Sequence, residues 1–308
     1  MNSQCYAFSR LQLFAMASFA TYLLCPSVEA GMMHADIDQR TYTDFAQNLG
    51  RYKVTGVSTL LQAIRVKDGG IVLVNKDGQM TGKISLEQGM INFSGVEDMP
   101  DWFHGAGGAL GNNFIVTAEH NSIFNASFGV SELGSSHAIS YATVRESTGR
   151  GDFALYRQNK IFTDVVGASV YSGITTDTEA SSLLGKTIYR AGAGVHYKYK
   201  DHSGTRVHAS KNYTFLAGGM GVISGASFGG YESTDTYRIS WGMELGADGV
   251  NESNPIPITT NGGDSGSPIY IYNETTGKYE YLFALTGDNR QNWSIGSGAI
   301  KWTADAMA

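Results

Sequence analysis

From residue 52 onward, short apolar runs alternate with clusters of Gly, Asn, Asp, Ser and Thr, and sustained helical periodicity is rare. That pattern predicts strands joined by turns. Gly70-Ile71-Val72-Leu73-Val74 followed by Asn75-Lys76-Asp77-Gly78 reads as one arm and the turn of a hairpin, because Asp-Gly readily takes the positive φ angles of a tight turn. Pro268-Ile269-Tyr270-Ile271-Tyr272 and Tyr279-Glu280-Tyr281-Leu282-Phe283-Ala284-Leu285 read as two strands around the loop of residues 273–278. Further strands are predicted over residues 113–118, 138–145, 153–157, 187–200 and 236–244. Tyr42, Phe45 and Leu49 fall at helical spacing and predict one short helix within residues 39–50. The glycine-rich residues 105–111 miss G-x-G-x-x-G by one position and read as a loop. The Gly/Ser/Thr/Asp-rich stretch over residues 172–185 is the expected boundary between a first β-subdomain, residues 50–172, and a second, residues 185–303. The fold class expected is all-β with few short helices.

The first 30 residues change the picture of where the protein acts. Arg10, the apolar run from Leu11 to Cys25 and Val28-Glu29-Ala30 have the layout of a Sec signal peptide, with the mature chain beginning near Gly31. The run is interrupted by Gln12, Ser18 and Thr21 and is shorter than the roughly 20 residues a spanning helix needs. A lipid anchor on Cys25 is the weaker alternative, since Leu23 and Leu24 stand where that signal expects a small residue. A secreted or periplasmic protein with no integral membrane segment in residues 31–308 is expected. Both cysteines, Cys5 and Cys25, fall in the leader, so the rest of the chain has no disulfide to draw on. Charged residues make up 16% of the chain and the net charge is -6, which argues against a polyanionic partner such as nucleic acid. Thirty-nine glycines suit a turn-rich β-protein.

Three local patterns carry chemistry. In Gly262-Gly263-Asp264-Ser265-Gly266-Ser267-Pro268, a serine sits in a glycine-flanked loop just ahead of an apolar strand. Such a loop exposes a hydroxyl and turns the N–H groups of Gly263 and Ser265 toward one point, where they would bind an oxyanion. A hydroxyl needs a base, and His120 ends the apolar run Phe114-Ile115-Val116-Thr117-Ala118 by way of Glu119. The other six histidines lack that setting. A carboxylate must orient the imidazole, and Asp152 heads the apolar segment Phe153-Ala154-Leu155. Taken singly, each has an ordinary reading: a Gly-Ser surface turn, a structural histidine, an aspartate capping the turn after Gly151. Jointly, the order His120, Asp152, Ser265 is that of the chymotrypsin architecture, with base and acid in the first subdomain, nucleophile in the second and a cleft between.

At these residues the chain resembles the serine protease autotransporters of enterobacteria and the related immunoglobulin A proteases. The similarity extends to Asp44-Phe45-Ala46-Gln47-Asn48-Leu49-Gly50, to Glu119-His120-Asn121 with Ser127-Phe128-Gly129, and to Asp152-Phe153 with Arg157, Asn159, Lys160 and Thr163. It also includes residues 263–268, Leu285-Thr286 and Asn292-Trp293, and runs from residue 31 to 303. The resemblance implies a two-barrel chymotrypsin-like fold and endoproteolysis of host or mucosal proteins, with protein or peptide substrates, host glycoproteins among them. Family members continue into a β-helical stalk and a translocating barrel, which residues 1–308 do not contain. Specificity is less well encoded. Thr259, six residues before the nucleophile, does not support a trypsin-type preference for Lys or Arg; Thr286 and Asp288 are the other expected pocket residues, with a solvated turn as the plainer reading of Asp288. Neither His-Glu-x-x-His nor a cysteine after residue 30 is present, so no metal and no cofactor is expected. A monomer is expected. The competing reading is an adhesin or binding module that keeps the fold without turning over a substrate.

Overall fold

The computed structural model describes residues 29–34, 37–47, 70–74, 80–85, 93, 95–98, 106–121, 125–126, 128, 139–148, 152–171, 174, 176–192, 195–199, 206–208, 217–228, 237–242, 254, 256–259, 264–289 and 293–298. The leader up to residue 28, the hairpin turn at residues 75–79, and Gly262 and Gly263 lie outside them.

In chain order, β1 (Glu29–Met33) and helix α1 (Gln39–Gln47) precede the hairpin β2 (Gly70–Val74) and β3 (Met80–Ser85). The first half continues with β4 (Val96–Asp98), β5 (Ala106–Leu110), β6 (Phe114–Ala118), β7 (Asn125–Ala126), β8 (Tyr141–Thr148) and β9 (Phe153–Gln158). Helix α2 (Asp177–Ser181) leads into β10 (Thr187–Gly192), β11 (Val195–Tyr199), β12 (Arg206–His208) and β13 (Ala217–Phe228). The chain closes with β14 (Tyr237–Gly242), β15 (Ile258–Thr259), β16 (Pro268–Asn273), β17 (Lys278–Asn289) and β18 (Trp293–Gly298).

Two six-stranded bodies dominate. The first is a sheet in the order β4-β5-β6-β9-β8-β7, and the second is a closed barrel, β10-β13-β14-β18-β17-β16, completed by β10 pairing antiparallel with β16. The all-β expectation holds, and the helices are short. A further sheet, β12-β11-β1-β15, carries β1 between a parallel and an antiparallel neighbour. Met33 is buried in it, and the pairs Met32–Thr259 and Met33–Ile258 lie on the chain side of the expected cleavage after Ala30.

Three readings of the sequence change. Residues 187–200 are not one strand: β10 belongs to the barrel and β11 to the sheet around β1. The break falls within Ala191-Gly192-Ala193-Gly194, residues depleted in strands, which the longer reading ran through. Residues 106–110 are not loop but β5, buried throughout, because small residues there let the two bodies approach. A Cβ on Gly108 would sit 2.7 Å from Cβ of Pro268, closer than real contacts allow. Asp288 is not in a turn but inside β17, paired with Ser294.

The bodies share a core. Val96, Leu110, Val116 and Leu155 of the first pack in one cluster with Tyr189, Ala191, Met220, Tyr270, Tyr281 and Ala284 of the second. Phe93 joins them, edge-on to Phe45 of α1 at 5.7 Å and to Tyr270 of the barrel at 5.9 Å. Each body also has its own apolar interior: Ile188, Ile223, Ile269, Leu282 and Phe283 in the barrel, and Ile115, Phe128, Tyr141, Ala154 and Tyr156 in the sheet. Residues projecting from β6, β9 and the loop before β16 therefore meet on a packed seam.

Candidate active site

β6 and β9 run antiparallel, Ala118 opposite Phe153, which brings the residue after one strand beside the residue before the other. The ladder extends one bond further, Glu119 N–H donating to the Asp152 carbonyl at 3.1 Å. His120 follows in the turn, where its backbone N–H donates to Asp152 Oδ1 at 3.0 Å. Its ring Nδ1 lies 2.7 Å from Oδ2 and 2.9 Å from Oδ1 of the same carboxylate. Asp152 thus holds both the backbone and the imidazole of His120. It does so from φ 57°, among the described residues a left-handed conformation shared only with glycines. That conformation costs an L-residue about 1–2 kcal/mol, although aspartate tolerates it better than most. Asp152 therefore combines a left-handed backbone with a two-fold side-chain contact to one histidine.

The pair sits at the surface, the two side chains 50% and 37% exposed. The hydrogen bond that His120 donates to Asp152 raises the pKa of His120 above its ordinary 6.5; partial burial opposes this and the carboxylate's charge adds to it. Bonding Nδ1 to the carboxylate leaves Nε2 as the basic nitrogen of the neutral ring.

Ser265 is delivered from the other body by the loop before β16. Two bonds knit the loop to β17, Gly266 N–H to the Leu285 carbonyl at 2.7 Å and Leu285 N–H to the Ser267 carbonyl at 3.0 Å, while Ser267 N–H closes a turn on Asp264 O at 2.9 Å. Gly266 has φ +83°, and a Cβ there would lie 2.0 Å from Thr117 Oγ1 and 2.1 Å from the Ala106 carbonyl. Only glycine fits, on both counts. The Ser265 carbonyl accepts from Ala106 N–H and from the Asn121 carboxamide, each at 2.8 Å, so the Ser265 loop is bonded to the turn that carries His120. Among the described residues the Ser265 hydroxyl makes no hydrogen bond to the imidazole. Such bonds commonly tighten only when substrate is bound.

Behind Ser265, Asp264 is 0% exposed and faces Arg190 of β10, 1% exposed, with Oδ1 2.6 Å from Nη2. Sequence reading missed this pair, since nothing in Thr187-Ile188-Tyr189-Arg190 marks Arg190 as inward-facing. The two charges come from elements 74 residues apart along the chain, as the numbering of the pair shows. Of the other expected site residues, Thr259 ends β15 opposite Met32, and Thr286 lies at the irregularity of β17 between Leu285 and Gly287. Gly263, the expected second oxyanion donor, lies outside the described residues. No cluster of three or more metal-ligating side chains occurs among the described residues.

Other residues of the quoted motifs turn out to be packing. Phe128 stacks edge-on against Phe162 at 5.2 Å, Asn159 caps β8 through Ala142, and Lys160 sits 5.1 Å over the Tyr141 ring. No helix among the described residues is long and apolar enough to cross a membrane, which says nothing of strand-built spans.

A family model described as immunoglobulin A1 protease matches residues 30–303. The chain is 26% identical over 261 residues to the adhesion and penetration protein autotransporter of Haemophilus influenzae, covering 79% of this chain and 16% of that protein. It is 27% identical over 281 residues to the serine protease EatA of Escherichia coli, covering 88% and 18% respectively. It therefore spans less than a fifth of the length of these relatives. Among solved structures, the Haemophilus influenzae Hap adhesin superposes with a TM-score of 0.64 at 21% identity, over 89% of this chain and 28% of that one, a likeness of chymotrypsin-like fold.

Proposed function

The chain belongs to the immunoglobulin A1 protease family, and on that premise we propose that it is a serine endopeptidase with His120, Asp152 and Ser265 as its triad. The observation that carries this reading is the two-fold contact of Asp152 with His120, on a turn hydrogen-bonded to the Ser265 main chain. His120 Nε2 takes the proton of Ser265 Oγ as that oxygen attacks the scissile carbonyl, and Asp152 stabilises the imidazolium that forms. The N–H groups of Ser265 and Gly263 bind the oxyanion. Collapse of the tetrahedral species expels the amine, which takes the proton from His120. Water activated by the same base then hydrolyses the acyl-enzyme, restoring Ser265. Substrates are proteins or peptides, host glycoproteins among them, with Thr259, Thr286 and Asp288 lining the primary pocket. Residues 1–30 direct export through the Sec route, and the first subdomain ends near residue 172.

A fluorophosphonate probe tests the triad. Labelling is expected on Ser265, absent in Ser265→Ala and strongly reduced in His120→Ala; equal labelling of all three proteins overturns the reading. A second reading, binding without turnover, is favoured by the likeness to a structure described as an adhesin. It predicts adherence to host glycoprotein that Ser265→Ala leaves unchanged and no cleavage of any peptide library.

A further inference from the structure

The triad leaves Asn121 without a part, although it adjoins His120 and its side chain is buried. Its carboxamide nitrogen lies 2.9 Å from Thr117 Oγ1 and 2.8 Å from the Ser265 carbonyl oxygen. Thr117 Oγ1 donates its own proton to the Ala106 carbonyl at 2.7 Å, so it accepts from Asn121, and a carbonyl only accepts. Both acceptors demand the nitrogen, which fixes which way the amide faces and uses both of its N–H groups. Ala106 N–H donates to the same Ser265 carbonyl at 2.8 Å. The bonds close a ring: Asn121 to Thr117, Thr117 to Ala106, Ala106 to Ser265, and Asn121 to Ser265 again. Gly266 lies against three of its atoms, with room for nothing larger than hydrogen. Asn121 is itself anchored, its N–H donating to the Ala118 carbonyl at 3.0 Å and its carbonyl accepting from the Tyr156 hydroxyl at 2.9 Å.

One peptide bond joins Asn121 to the histidine, and the far end of its side chain holds the main chain of the serine, 144 residues on. We propose that Asn121 is a positioning residue that sets the reach between the His120 imidazole and the Ser265 hydroxyl across the seam between the two bodies. The proposal rests on the triad reading. It assigns Asn121 no contact with substrate; the residue acts by holding base and nucleophile in register, where a displacement of about 1 Å can cost about a hundredfold in rate. The nucleophile loop keeps its own turn and its bonds to β17 without Asn121, so removal loosens the register while the loop stays folded.

The test is the rate constant for fluorophosphonate labelling of Ser265 in the exported protein, beside kcat and KM on a peptide it cleaves. Asn121→Leu keeps the shape and removes both donors. Labelling and kcat are expected to fall between about tenfold and a hundredfold with KM held, and the acid limb of the pH profile is expected to stay in place because the His120–Asp152 bond is untouched. Tyr141→Phe serves as control: it removes a hydroxyl that bonds Asp164 and the Thr163 N–H elsewhere in the same body, and is expected to label at the wild-type rate. Wild-type labelling by Asn121→Leu, or slowing of both variants in proportion to their loss of Tm, overturns the proposal and leaves the triad standing. If Asn121→Leu does not fold, Asn121→Ser, whose one hydroxyl proton serves a single acceptor, is expected to label at an intermediate rate, and a wild-type rate again overturns it. Absence of Ser265 labelling in the wild type brings down the triad reading and this proposal together.

Discussion

In the proposed triad, the imidazole of His120 and the carboxylate of Asp152 set how the site responds to pH. Because the bond to Asp152 raises the His120 pKa, the ring stays protonated, and useless as a base, to higher pH than a free histidine would. The acid limb of kcat/KM is therefore expected above pH 6.5. Asp152→Asn removes the charge and favours the wrong tautomer, so the limb should move down while kcat falls by about ten-thousandfold; a limb that stays put would show that another group sets it. The same bond acts on stability with a definite sign. A folded pKa above the unfolded one stabilises the fold fully below pH 6.5 and loses that effect as pH rises through the folded value. With side chains 50% and 37% exposed, the contribution is screened and small. His120 and Asp152 stood out in the sequence because each ends or begins an apolar run; the pairing of β6 with β9 that brings them together did not. The left-handed backbone of Asp152 was not, since it arises only once β6 and β9 are in register.

Among the elements, the Ser265 loop is braced by a strand that the sequence did not connect to it. Burying Asp264 and Arg190 at 0% and 1% exposure removes both charges from water, which close pairing offsets only in part. Gly192, on the same strand, is where the pair meets Ser267: a Cβ there would sit 2.4 Å from Arg190 Nη2 and 2.5 Å from Asp264 Oδ1. Arg190→Met should lower unfolding free energy by about 3–5 kcal/mol by stranding a buried carboxylate, and Arg190→Met with Asp264→Asn should recover part of that loss. Urea denaturation of the two proteins decides it; a single variant within about 1 kcal/mol of wild type would mean that water reaches the pair. Strands such as β16 and β17 were legible because alternating and apolar runs flank an evident loop. β13 escaped notice because Gly218, Gly219, Gly221 and Gly225 leave too few side chains for alternation to show, and β5 because its small residues serve the seam with Pro268.

Across the whole molecule, the sheet β12-β11-β1-β15 is built around a segment that straddles the expected site of export processing. β1 is an interior strand of its sheet, paired with β11 on one side and β15 on the other, and β15 lies only a few residues ahead of Asp264. Helix α1 adds the Tyr42 hydroxyl, which donates to the Pro257 carbonyl at 2.8 Å and accepts from His34 N–H at 2.9 Å. This segment thus braces the approach to the Ser265 loop, a dependence that no local pattern in residues 29–47 announces because β11, β15 and Pro257 all lie more than 150 residues away. A protein beginning at Ile37 lacks Met33, whose burial contributes about 1.5–3 kcal/mol, and leaves β11 and β15 with open edges. Compared with one beginning at Gly31, it should unfold at lower urea by at least that free energy and label more slowly on Ser265. Equal midpoints would mean that β1 merely lies against the sheet; equal labelling with a lowered midpoint would mean that its stability does not reach the nucleophile. With no cysteine after residue 30, neither protein's unfolding should respond to a thiol reductant, so any shift can be assigned to the strand itself.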